Sequence, residues 1–181
     1  MQVMQNKSPP ENSAARSSPP RGPGNTWGGP AHFPQELRQS LRQRAIRLLA
    51  RREHTRVELA RKLAPHGEPE VIETVIAELA RAGLQSDARF AESYVRSQAA
   101  RLGAARLAQT LRTRGVDAAL IAAQLESAEL PDEMARAAAV WTKKFIAAPA
   151  DRREWARQAR FLQGRGFSSE TIGKLLKAAQ A

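Results

Sequence analysis

The sequence predicts an all-α protein: three tandem three-helix repeats in an elongated arrangement, preceded by a disordered N-terminal tail. Three observations predict it. Helix-forming residues run in stretches of roughly 10–18, separated by short Gly, Pro or Ser signals, and no convincing period-2 segment interrupts them. Aromatic residues make up only 5% of the chain, and strand-type residues are scarce beside Ala, Leu and Arg. A leucine–glycine–isoleucine signature also recurs. Leu63, Leu111 and Leu162 each stand four residues before a glycine (Gly67, Gly115, Gly166), and Ile72, Ile121 and Ile172 follow in turn.

Residues 1–34 are dominated by Pro, Gly, Ser and Asn. Apolar side chains are too sparse there to offset chain entropy, so this segment reads as the tail. Its two bulky rings, Trp27 and Phe33, are expected to pack loosely on the first helix.

The first helix is predicted over 35–52. Thr55 and Glu58 form a capping box for the second, which ends near Ala64 and Pro65. The third starts at Pro69, a favoured first helical position, and stops before Gly83. Ser86 caps the fourth, which reaches about Leu102. The fifth runs over 104–114 and is closed by Gly115. Asp117 caps the sixth, ending near Glu126. The seventh follows Pro131 and Asp132 and ends before Pro149. Asp151 caps the eighth, closed by Gly166, and Ser168 opens the ninth. Apolar stripes agree with this reading. Met134, Ala138, Trp141 and Phe145 make one narrow helical face, and Trp155, Ala159 and Leu162 make another. Phe90, Ala91, Tyr94, Val95 and Leu102 share a broad side of the fourth helix.

The signature divides the helices into repeats over 35–83, 84–130 and 131–181. In each, the glycine is expected to supply a left-handed cap ending the middle helix. The leucine packs under that turn, and the isoleucine starts the buried face of the third helix. A unit of about 50 residues buries little alone; stacked units share surface.

Catalytic constellations are missing. With no cysteine, the chain has no disulfide, no thiol nucleophile and no thiolate zinc site. His32 lies in the tail, and His54 and His66 flank the second helix roughly 18 Å apart, too far to share a metal. No phosphate-binding loop, metalloprotease pair or nucleophile elbow occurs. Asp87, Asp117, Asp132 and Asp151 each stand at or beside a predicted helix start, and capping explains all four. The expectation is a protein with no catalytic, metal or cofactor site. No apolar run of about 18 residues crosses a membrane, and the first residues lack a signal peptide's apolar segment. A cytoplasmic protein without membrane contact is expected.

What remains is charge. The chain carries 29 Lys and Arg against 18 Asp and Glu, a net +11, and 23 of the cations are Arg. Guanidinium forks match phosphate and carboxylate two bonds at a time. Such an excess favours a polyanion or an acidic protein surface. Arg44, Arg47 and Arg51 cluster within about 60° on the first helix, as do Arg153, Arg157 and Arg160 on the eighth. Arg89 and Arg96 flank Glu92, a spacing that predicts an ion-pair ladder. Lys143 and Lys144 lie off the apolar stripe of the seventh helix. Tyr94, Trp141 and Trp155 are assigned to the core, and Phe167 to a helix C-cap contact.

Three pieces of the chain resemble the bacterial RecX regulators. One is Ala45, Leu48-Leu49-Ala50-Arg51-Arg52-Glu53-His54-Thr55, with Glu58-Leu59 and Lys62-Leu63. The second and most specific is Gly83-Leu84, Ser86-Asp87-Ala88-Arg89-Phe90-Ala91, Tyr94-Val95 and Ser97. The third is Phe161-Leu162 with Arg165-Gly166-Phe167-Ser168. Together they span about residues 40–178. The resemblance implies tandem three-helix repeats. It also implies a regulator that binds the RecA recombinase and its nucleoprotein filament and inhibits ATP hydrolysis, strand exchange and co-protease activity. The alternative is a helical module acting directly on DNA, single- or double-stranded. A monomer is expected. The candidate partner-binding residues are Arg44, Arg47, Arg51, Arg52, Arg89, Arg96, Lys143, Arg153, Arg157, Arg160 and Arg165.

Overall fold

The structure, a computed structural model, describes residues 34–128 and 130–180. The expected disordered tail, the packing of Trp27 and Phe33, and His32 lie outside the described residues, Pro34 excepted. Among the described residues there are nine α-helices and no strand. They are α1 (Gln35–Leu49), α2 (Arg56–Leu63), α3 (Pro69–Arg81), α4 (Asp87–Gln98), α5 (Ala104–Thr113), α6 (Ala118–Ser127), α7 (Glu133–Thr142), α8 (Arg152–Gly164) and α9 (Ser169–Gln180). A short 3-10 turn, Ala64–His66, follows α2.

Side-chain caps set most of the starts. Thr55, Ser86, Asp117, Asp132 and Asp151 each accept an amide of the first turn that follows. Two expectations need correction. The capping box is half made: Thr55 accepts the Glu58 amide at 3.0 Å, but the Glu58 carboxylate turns to Arg52 and Arg114 instead. Asp87 does not cap its own helix. Its Oδ1 accepts the amide of Arg56, the first residue of α2, at 2.9 Å. Ser86 already serves α4, so Asp87 is released to satisfy an orphan donor of another helix.

The glycine signature holds in two repeats and changes in one. Gly115 and Gly166 sit at φ +80° and +83°. Behind them the amides of Val116 and Phe167 reach back to the carbonyls of Leu111 and Leu162 at 3.1 and 3.3 Å. This is a Schellman closure, and it explains why the leucine stands four residues ahead. Gly67 instead has φ −178°, ordinary extended backbone, because the 3-10 turn intervenes. Its lack of a side chain serves packing: a Cβ there would lie 2.8 Å from Leu41 Cδ1. The third left-handed glycine is Gly83, φ +69°, which ends α3.

α7 is shorter than predicted. The amides of Lys144 and Phe145 both bond the Trp141 carbonyl at 2.9 Å, a closing turn. Phe145 thereby leaves the α7 stripe and meets Phe161 of α8 edge-on, ring centroids 5.3 Å apart.

Packing is local. Every substantial helix–helix contact falls within α1–α3, α4–α6 or α7–α9. Each trio has its own core: Leu41, Leu59, Leu63, Val75, Ile76 and Leu79 dominate the first. Phe90, Val95, Leu111, Val116 and Ile121 form the second, and Val140, Leu162, Phe167, Ile172 and Leu176 the third. The signature leucines are fully buried, each stabilising its trio by about 2 kcal/mol. No hydrogen bond or ion pair among the described residues joins the first trio to the third. The trios follow one another in a row, so their outer faces stay open to a partner.

Candidate partner-binding surface

The predicted cations divide into two groups according to what surrounds them. Five of the eleven are engaged. Arg52 pairs with Glu58 at 3.0 Å and Arg89 with Glu53 at 2.8 Å. Arg96 pairs with Glu92, one turn away on α4. Arg157 has Glu154 at 3.7 Å and lies over the Phe145 ring. Arg165 lies over Phe161 at 5.2 Å. The predicted ladder is therefore only half formed, because Arg89 leaves Glu92 for a carboxylate in the preceding trio.

The other six, Arg44, Arg47, Arg51, Lys143, Arg153 and Arg160, are exposed and have no ion-pair partner among the described residues. Their placement differs. Lys143, Arg153 and Arg160 sit beside the α7–α8 connection or on the outer face of α8. Arg44, Arg47 and Arg51 line a groove of about 320 Å³ whose other wall carries Lys62 and His66. Leu48 and Leu63 form its apolar floor. Among the described residues, no acidic side chain lines it.

The joints between trios contain the charged residues that sequence reasoning passed over. At the first joint, Arg114 is held from three sides. Glu58 lies 3.2 Å from its Nη1, and the Phe90 and Tyr94 rings lie 5.5 and 5.2 Å from its guanidinium carbon. Its carbonyl accepts the Thr55 hydroxyl at 2.8 Å. At the second joint, Arg136 is buried and donates to the carbonyls of Ala99, Leu102 and Pro131 at 2.9–3.1 Å. Arg136 stands apart from other cations and Arg114 has only Arg112 close by, so neither falls in a helix-face cluster of arginines. Lys62 and His66 were missed for another reason: only packing brings their wall against α1.

His54 is buried at the first joint. Burial is the largest cause holding its pKa below the ordinary value of 6.5. The charges of Arg52 and Lys62 add to this, while a hydrogen bond with the Arg52 backbone and the charge of Glu58 partly oppose it. Among the described residues no group of acidic and histidine side chains is arranged to hold a metal. No helix among them is long and apolar enough to cross a membrane.

Models of the first, second and third three-helix domains of RecX match residues 42–79, 86–125 and 131–176. The chain belongs to the RecX family. It is 45% identical over 141 residues to the protein named regulatory protein RecX of Leptothrix cholodnii, covering 77% of this chain and 89% of that one. It is 49% identical over 144 residues to the protein of that name from Halorhodospira halophila, covering 78% and 89%. The crystal structure of RecX from Lactobacillus salivarius superposes with a TM-score of 0.68. It covers 81% of this chain and 99% of its own at 20% identity, a likeness of fold. The family's relatives are named regulatory proteins. In this RecX-family chain the open cations therefore lie on the outside of a fold shared by regulators.

Proposed function

We propose that this protein is a non-enzymatic, monomeric, cytoplasmic regulator. It binds the RecA recombinase and its nucleoprotein filament and inhibits ATP hydrolysis, strand exchange and co-protease activity. The observation that carries the reading is the match of all three helical units, in order, to the three domains of RecX. The open cations support it, since a recombinase filament is a long anionic assembly and a row of modules suits its groove. Inhibition then needs no covalent step. A chain laid along successive subunits blocks them sterically.

The test is RecA ATP hydrolysis on single-stranded DNA with the protein titrated in. Inhibition near one protein per recombinase subunit is expected; none at equimolar protein defeats the proposal. Replacing Arg153, Arg157 and Arg160 by Ala is expected to weaken inhibition while helicity stays intact. The second reading, direct action on DNA, is favoured by the groove lined by cations without a carboxylate. Co-sedimentation with assembled filaments, compared with DNA alone, separates the two.

A further inference from the structure

We infer that the groove between α1 and the α2 end of the first trio is a binding site for the phosphodiester backbone of a nucleic acid strand, read without its bases. The inference deepens the proposed role in filament binding and rests on it only for where the strand is met.

Four full cations and an imidazole face one channel. Arg44, Arg47 and Arg51 stand along one wall, with Lys62 and His66 on the other. All five are exposed and none is engaged by a carboxylate among the described residues. Their neighbour Arg52, one residue further on, does not line the groove and is engaged by Glu58. Both α1 and α2 end here. Their C-terminal dipoles offset about one positive charge, which leaves an excess of about three. Capping two helix ends therefore does not use up the cations.

The lining also selects among anions. From Arg44 to the end of α1 at Leu49 the chain advances about 7.5 Å at 1.5 Å per residue, and Arg51 follows in the turn just beyond. A nucleic acid strand carries one charge per roughly 3.4 Å of axis, so the row faces about three consecutive phosphates. Base recognition would need aromatic platforms or amide and carboxylate side chains aimed at base edges. Among the described residues the groove has no Phe, Tyr, Trp, amide or carboxylate side chain: its floor is Leu48 and Leu63. An acidic peptide would present scattered carboxylates and side chains of varied shape, for which a uniform row of cations offers no discriminating contact. A regular, uniform polyanion is the occupant that fits.

The experiment is fluorescence anisotropy with three probes: a labelled oligothymidylate of about 20 nucleotides, an abasic oligomer of equal length, and polyglutamate of matched charge, each at several salt concentrations from about 50 to 200 mM. The native protein is expected to bind both oligomers within about twofold of each other and polyglutamate at least tenfold more weakly. Replacing Arg44, Arg47 and Arg51 by Ala is expected to weaken oligomer binding at least tenfold. It should also reduce the slope of log affinity against log salt by about two, near 0.7 for each single-strand phosphate left without its arginine. Lys62→Gln with His66→Gln, on the opposite wall, is expected to act in the same direction and decides the matter if the triple variant loses helicity. Unchanged affinity and slope in a helical variant overturn the inference. So does a tenfold preference for the base-bearing strand, or tighter binding of polyglutamate. A native protein that binds the oligomers this way yet leaves recombinase ATP hydrolysis untouched refutes the filament proposal and leaves the groove assignment standing.

Discussion

The two joints of the chain occupy equivalent places and are built from different chemistry. In each, the N-cap of one trio's middle helix meets the glycine turn of the next trio's middle helix. At the first joint the Thr55 hydroxyl donates to the carbonyl of Arg114, just before Gly115, at 2.8 Å. At the second the backbone amide of Gly103 donates to the carbonyl of Arg165, just before Gly166, at 2.9 Å. Around the first bond stand charges: Arg114 with Glu58, Arg89 with Glu53, and Asp87 on the Arg56 amide. Around the second stand glycines and one buried guanidinium. A Cβ on Gly103 would lie 2.1 Å from the Gly166 carbonyl oxygen, and one on Gly166 would lie 2.3 Å from the Arg106 amide nitrogen. The repeat thus keeps one geometric handshake, while each joint holds it by its own means. A Cβ on Gly115 at the first joint would also be crowded, 2.3 Å from Val57 Cγ2, but there it meets a side chain and not backbone. Salt and acid should act on the first joint; added bulk should act most on the second.

The largest effect should come from bulk at the second joint. Gly103→Val is expected to cost about 3 kcal/mol or to uncouple the third trio. Urea unfolding followed by far-UV circular dichroism would then become broader or biphasic, and a wild-type curve would break the distinction drawn between the joints. Arg136→Met comes next, at about 2 kcal/mol, because it leaves backbone carbonyls at the joint without their donor. That cost should persist in about 0.5 M NaCl, since this guanidinium pairs with no carboxylate among the described residues.

At the first joint, Arg114→Gln is expected to cost about 1 kcal/mol at low salt and clearly less in about 0.5 M NaCl, because the partly exposed pair with Glu58 is screened. An undiminished cost in salt would show that ring contacts, not charge, hold Arg114. The smallest effect is the pH response of His54. Its pKa is lowered in the folded chain, so between that lowered value and 6.5 the unfolded chain binds the extra proton. Stability is complete above 6.5 and falls as pH drops through that value toward the lowered one. His54→Gln should flatten this part of the stability–pH profile. An unaltered slope would place the acid sensitivity elsewhere.

Local signals made most helices legible. Ser86, Asp117, Asp132 and Asp151 cap where their spacing predicts, and Leu111 and Leu162 lie buried under left-handed glycines. The failures share one physical cause. Asp87 reads as a local cap, yet its acceptor goes to a helix 31 residues earlier. Arg89 reads as a partner of Glu92, yet Glu53 takes it. Gly67 reads as a third left-handed turn, yet the turn there is 3-10 and its hydrogen atom makes room for Leu41. In each case a long-range neighbour competes with a local one of similar strength. Local spacing carries no information about that competitor.

The surface was legible to the same degree. The α1 and α8 arginine clusters were visible as periodic runs, because a helix face is a local property. That Lys62 and His66 complete a channel with the first cluster was not, because it depends on how α2 packs on α1.

By itself, then, the chain determined its helices, its three buried leucines and the excess of guanidinium groups, all set by interactions within a turn or two of backbone. Tertiary structure alone decided which charges are consumed in the joints and which remain open to a partner. Ion pairing is settled by whichever opposite charge comes nearest in space, and that neighbour is chosen by packing of the whole chain.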